Sequence, residues 1–235
     1  MNAVLIDEET CSKQSIRGEG LFARVAIVDP LLTLSLPAKM TAYSGADALC
    51  QALEAFVSIA AMPITDGLCR EAIRLIGRSL LAAYRDGQDI AARRDMHYAS
   101  LMAGMALANA RLGAAHGMAH PLGCRYRLPH GLICGLLLPY VMEWNLPAAA
   151  SRYAEAAALL GAPLPSMRAE EAAGAAIEQV RRLFNELGLP ERLSQAGVKE
   201  IAFEAVARES MSSSLKHNPR PTSEADVVEL LRRAL

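Results

Sequence analysis

Aromatic residues are scarce in this chain: one Trp, four Phe and six Tyr among 235 residues. That excludes a core built on stacked aromatics and β-branched strands, as in a β-sandwich. There is no surplus of charge of one sign either. Lys and Arg number 24 against 25 Asp and Glu, a formal net charge of −1, and no Lys/Arg run interrupts the balance. A nucleic-acid footprint or an anionic membrane surface as partner is therefore not expected. The five cysteines, Cys11, Cys50, Cys69, Cys124 and Cys134, form no CxxC pair. An odd number at irregular spacing points to reduced thiols and a cytoplasmic location. Residues 1–10 carry acids instead of a basic end followed by an apolar run, so no signal peptide is read there. The longest apolar stretch, "GLICGLLLPYVM" from Gly131 to Met142, is 12 residues long and falls short of a bilayer span.

What the chain has is Ala, Leu, Ile, Val and Met, the main part of a 52 % hydrophobic content. That is the composition of packed helices, and 235 residues suffice for one large core, with or without an appendage. "AVLID" and "ARVAIVDP" read as strands, followed by "PLLTLSLP" as a Pro-bounded extended link. Ser44 reads as the N-cap of a helix to Ser58. A second helix starts at Thr65 or Asp66 and stops at Gly87, and a third covers 89–112. Further helices are expected near 131–145, 147–161, 168–187, 198–215 and 223–234, with "NPRP" at Asn218–Pro221 separating the last two. The expected fold is mainly α, with residues 1–37 as a β-containing piece and 38–235 as the helical domain. Two strands alone are marginal, so an open edge near 23–29 is an expected association surface.

The chemistry is concentrated in "AHGMAHPLGCRYRLPHG", Ala115 to Gly131, which holds three of five histidines. His116 and His120 are four residues apart and share a helix face. No Glu follows His116, so this is not the HExxH zinc-protease pattern. His130 opens the next helix and can turn back toward His116 in a helical hairpin. Each histidine alone fits a polar residue at a helix end equally well. A carboxylate partner is offered by "SGADALCQALEAF": Asp47, with Gln51 one turn on and Glu54 beyond. The Ser44-x-x-Asp47 spacing also fits a capping box.

Taken in order, "AIVDPLLTLSLP", "SGADALCQALEAF", "AGMALANARLGAAHGMAHPLG", "YRLPHG" and "NPRPTSEADVVELLRRAL" resemble the C-terminal, helical half of the iron-dependent alcohol dehydrogenase family, over residues 20–235. The resemblance implies a dehydroquinate synthase-like fold. It also implies a divalent metal, iron or zinc, held by an Asp matching Asp47 and by histidines matching His116 and His130. The remaining family ligand is a His at the position of Gln51. His120 matches a family His near substrate and nicotinamide. The implied activity is hydride transfer between an alcohol or aldehyde and NAD or NADP, in a family commonly found as homo-oligomers.

Two departures stand out. Gln51 puts a neutral carboxamide where iron and zinc favour imidazole. The family's N-terminal α/β nucleotide-binding domain is represented only by its last strands, which implies a nucleotide-binding partner domain or chain. "GEGLFA" at Gly18–Ala23 formally fits G-x-G-x-x-A, but it leads into an expected strand instead of a helix, so it is a chance match. The competing expectations are an inactive helical domain with an assembly role and a related glycerol dehydrogenase-like enzyme.

Overall fold

The computed structural model describes residues 2–7, 12–21, 23–163, 168–212 and 214–235; Cys11 and Phe22 lie outside them. Two short strands, β1 (Asn2–Asp7) and β2 (Ser12–Arg17), form an antiparallel hairpin in which Asn2 faces Arg17. Among the described residues eight α-helices follow: α1 (Ala38–Val57), α2 (Pro63–Arg85), α3 (Ile90–Ala110), α4 (Ala114–Tyr126), α5 (His130–Leu159), α6 (Ala169–Glu186), α7 (Phe203–Ser210) and α8 (Glu224–Ala234).

The strand expected at "ARVAIVDP" does not form. Residues 23–29 are non-helical and unpaired, and Val25 and Ile27 are 77 % and 83 % exposed. The apolar run has β propensity but no neighbouring strand to bond to, while "SKQSIR" gains a partner through the hairpin register. The association edge expected near 23–29 is thus not a sheet edge. "PLLTLSLP" is not extended throughout, because Pro30–Thr33 closes a short 3-10 turn capped by Asp29. Gly18 to Leu21 of "GEGLFA" lie exposed, and Glu19–Leu21 form a short 3-10 turn, not the start of an α-helix.

Ser44 is not a cap either. The helix starts earlier, at Ala38 after Pro37, and the Ser44 hydroxyl donates back to the Met40 carbonyl. Asp47 is therefore released from any capping duty. The expected break at 146 does not separate two helices: α5 runs through Pro147 as one element with a kink at Ala149 (φ −133°, ψ 16°), whereas the break expected near 162 is present, since α5 ends at Leu159 and α6 begins at Ala169. Proline removes one helical hydrogen bond and bends the helix, here without ending it. The expected helix 198–215 shrinks to α7, with a separate 3-10 turn at Leu215–His217.

The core lies around α1, which is buried almost all round by Ala42, Ala46, Leu49, Leu53 and Phe56 and packs against α2, α3 and α5. α5 is the one described helix with the length and composition of a membrane span, but 72 % of its apolar window is buried inside the fold, as befits a core helix. Close packing depends on missing side chains. A Cβ on Gly131 would lie 2.3 Å from the Tyr43 carbonyl oxygen, so the start of α5 rests directly on the α1 backbone. A Cβ on Gly113 would lie 2.9 Å from Glu54 Oε1, which lets that carboxylate reach the start of α4. The turn into α4 passes through Arg111 at φ 68°, ψ −171°, a region that favours glycine.

Candidate metal centre

Three helices deliver the site. Asp47 comes from the middle of α1, His116 from the first turn of α4, and His130 from the first residue of α5. Asp47 Oδ1 is 3.2 Å from His116 Nε2 and 3.8 Å from His130 Nε2. The His116 and His130 rings sit edge to face, with centroids 5.4 Å apart. Asp47, His116 and His130 thus meet at one point from distant parts of the chain.

Although Asp47 Oδ1 and His116 Nε2 are close, both are buried and neither makes a hydrogen bond. Buried acceptors without donors cost about 1–3 kcal/mol each. Two lone pairs turned toward one point, away from water, fit a cation held between them.

The surroundings fix these atoms. His116 Nδ1 is 2.7 Å from Glu54 Oε2, and the pair is almost fully buried. Glu54 also accepts the backbone N–H groups of Gly113 (2.9 Å) and Ala115 (2.7 Å). A carboxylate that accepts only must receive Nδ1–H, which leaves the Nε2 lone pair for Asp47's side. The same carboxylate satisfies the free donors at the start of α4 and complements its dipole. Asn218 assists at the same helix start. Its Oδ1 accepts from Ala114 N and from the Asn145 amide, and its own amide donates back to Asn145 Oδ1 at 2.7 Å. The "NPRP" break therefore also carries a buried cap for the helix that presents His116.

Gln51 stands one turn after Asp47, and its Nε2 donates to Asp47 Oδ2 at 2.9 Å. His120, half-buried one turn after His116, has its ring 5.5 Å from that of His130 and lies at the edge of the cluster. The Tyr126 hydroxyl, at the far end of α4, accepts the Ala202 backbone N–H.

One site residue escapes the sequence reading. Cys134, buried one turn into α5, places Sγ 3.5 Å from His130 Nε2. Its ligand atom and those of Asp47, His116 and His130 all lie within 4.8 Å of one another. Burial alone would raise the Cys134 thiol, but the Cys50 thiol and the two imidazoles outweigh it and bring the pKa down to about 5. Burial pushes Cys50 well up, so it stays a neutral thiol beside it. Burial also tends to raise Asp47, yet His116 and His130 hold its carboxyl below the usual value. Burial opposes protonation of His116, but Cys134, Asp47 and Glu54 overcome it and raise the ring's pKa well above the ordinary range. Metal binding to such a ring is coupled to loss of that proton.

The family model described as "Fe-containing alcohol dehydrogenase family, C-terminal" matches residues 41–235. The chain is 40 % identical over 234 residues to 1,3-propanediol dehydrogenase of Klebsiella pneumoniae, covering 99 % of this chain and 60 % of that one. It is 36 % identical to the NAD-dependent methanol dehydrogenase of Bacillus methanolicus, over 99 % of this chain and 61 % of the relative. Among solved structures, 1,3-propanediol oxidoreductase superposes with a TM-score of 0.96 at 40 % identity, over all of this chain and 62 % of that one. An alcohol dehydrogenase from Oenococcus oeni gives the same TM-score at 37 % identity, again over all of this chain and 61 % of that one. The chain thus spans about 60 % of the length of the relatives it matches.

Proposed function

Because the chain belongs to the Fe-containing alcohol dehydrogenase family, we propose that it is the helical metal- and substrate-binding part of a divalent-metal-dependent alcohol dehydrogenase or aldehyde reductase. In this reading Asp47, His116 and His130 hold the ion. The nicotinamide cofactor, NAD or NADP, is bound mainly by a nucleotide-binding unit outside these residues. The observation that carries it is the convergence of Asp47 Oδ1 and His116 Nε2, buried and without hydrogen bonds, on the point that His130 also faces.

A divalent ion bound there supplies Lewis-acid polarisation of an alcohol or aldehyde oxygen, and the hydride chemistry is the nicotinamide's own. Everything else falls to the chain's residues. Glu54 holds His116 in one tautomer and one orientation, so the site is shaped before anything binds. The first turns of α5 that carry His130 and Cys134 are packed into the core, with Leu132, Ile133 and Leu136 buried, so this side of the site is held rigid and closed to solvent. Asp47 and His130 keep side-chain exposures of 20 % and 35 %, so the opposite side is open to a substrate. His120, at that open edge, orients the substrate and carries a proton on its imidazole between substrate oxygen and solvent.

The Gln51 amide favours the alternative, a helical domain that no longer binds metal and serves in assembly, since it stands where an imidazole would strengthen the site. Metal analysis separates the two. The purified chain, loaded anaerobically with iron or with zinc and dialysed, is expected to retain one equivalent, and Asp47→Ala and His116→Ala to lose it. A chain that retains no metal under either condition overturns the dehydrogenase reading. Where metal is retained, NAD(P)H-dependent reduction of short aldehydes, measured with a nucleotide-binding domain supplied, tests the reaction itself.

A further inference from the structure

We propose that Cys134 is the fourth protein donor of the metal centre and that Gln51 is not a ligand but positions Asp47. This rests on the metal-site reading above and assigns its donor set. Three separations among the donor atoms bear on it: 3.2 Å from His116 Nε2 to Asp47 Oδ1, 3.8 Å from His130 Nε2 to Asp47 Oδ1, and 3.5 Å from His130 Nε2 to Cys134 Sγ. A tetrahedron with metal–N/O distances near 2.0–2.1 Å and metal–S near 2.3 Å has edges of about 3.3–3.6 Å. The cluster already stands close to those edges.

Gln51 is turned the other way. A carboxylate can only accept, so the Gln51 group 2.9 Å from Asp47 Oδ2 is the NH₂ end. The amide bond occupies Oδ2 and leaves Oδ1, the oxygen nearest both imidazoles, as the one free of hydrogen bonds. The two changes from the expected pattern therefore complement each other. The donor absent from the α1 turn is supplied by α5, one turn beyond His130, where the buried face of the helix already points at the cluster. A carboxylate, two imidazoles and a thiolate form a softer set than carboxylate and imidazoles alone, and thiolate favours zinc over iron.

Cobalt(II) loading of the full chain reads the thiolate directly, without any turnover. A sulfur-to-cobalt charge-transfer band in the near ultraviolet is expected in the wild-type protein, in Cys50→Ser and in Gln51→Ala, and is expected to vanish in Cys134→Ser. Cys134→Ser is also expected to weaken zinc binding at least ~10–100-fold, the range seen even for outer-sphere losses. Far-UV circular dichroism establishes that each variant is folded, and if Cys134→Ser is not, the wild-type band together with its persistence in Cys50→Ser decides the assignment. Cobalt bound without the band overturns the Cys134 assignment and leaves the metal-site reading standing. A band lost in Cys50→Ser but kept in Cys134→Ser overturns it in favour of the neighbouring thiol. No cobalt bound at all removes both readings together.

Discussion

Glu54 Oε2 lies 2.7 Å from His116 Nδ1, and the two side chains are 3 % and 2 % exposed. One carboxylate thereby fixes a ring of the candidate metal centre and caps the helix that carries it. Removing it leaves three buried donors without an acceptor: Gly113 N–H, Ala115 N–H and the His116 ring nitrogen. At about 1–3 kcal/mol per stranded donor, Glu54→Ala is expected to lower stability by about 3 kcal/mol or more in denaturant unfolding of the metal-free chain. A loss below about 1 kcal/mol would mean that water or another group takes over the carboxylate's bonds.

The Gln51 position makes a second test. An imidazole one turn after Asp47 adds a nitrogen donor that suits both iron and zinc. Gln51→His is expected to raise iron retention after dialysis by at least ~10-fold, the lower end of what even outer-sphere partners contribute. Unchanged iron content in a folded variant would show that position 51 does not look onto the ion.

The backbone between α3 and α4 supplies a prediction independent of metal. Arg111 is held at φ 68°, ψ −171°, with an exposed side chain. Such strain costs about 1–3 kcal/mol, whereas glycine adds about 0.5–1 kcal/mol of chain entropy to be lost on folding. Strain relief is the larger of the two, so Arg111→Gly is expected to stabilise the chain by about 1 kcal/mol. Thermal unfolding checks the sign, and a lower Tm would contradict the strain.

Much of the site is legible in the sequence, and the rest is hidden for identifiable reasons. His116 and His130 stand out because titratable groups beside Gly and Pro interrupt apolar helices and a helical hairpin can bring them together, whereas Asp47, whose spacing from Ser44 reads equally as a cap, joins them only through the family resemblance. The role of Glu54 does not show, because its partners are 59 to 62 residues away and no local pattern predicts such contacts. Cys134 sits inside "GLICGLLL" and reads as one more small apolar core residue; only the direction of the α5 face reveals it. Asn218 beside two prolines reads as a breaker, and its amide pairing with Asn145 depends on tertiary contact. The strand misreading at 23–29 has the same root, since β propensity describes a segment and not its neighbours.

Gly131 tests whether packing and metal binding are one device. A methyl group there would meet the Tyr43 carbonyl oxygen at 2.3 Å and its carbon at 2.8 Å, and Asp47 Cβ at 3.3 Å. Backbone cannot swing aside as a side chain can, so the first turn of α5 must lift off α1 in Gly131→Ala. Overpacking of this kind costs about 1–3 kcal/mol. Because His130 is the adjacent residue, the lift carries one donor away from Asp47, and zinc affinity is expected to fall with stability, by at least ~10-fold. Gly174→Ala is the matched comparison. It lies within α6 with nothing within 4 Å of the added carbon, so replacing a flexible residue inside a helix is expected to stabilise the chain by about 0.5–1 kcal/mol, with zinc affinity unchanged. Measured side by side by denaturant unfolding and zinc titration, the two variants should move stability in opposite directions. If Gly131→Ala loses stability yet binds zinc as the wild type does, His130 is not held in place by the contact between α5 and α1, and its position must be set from within α5 itself.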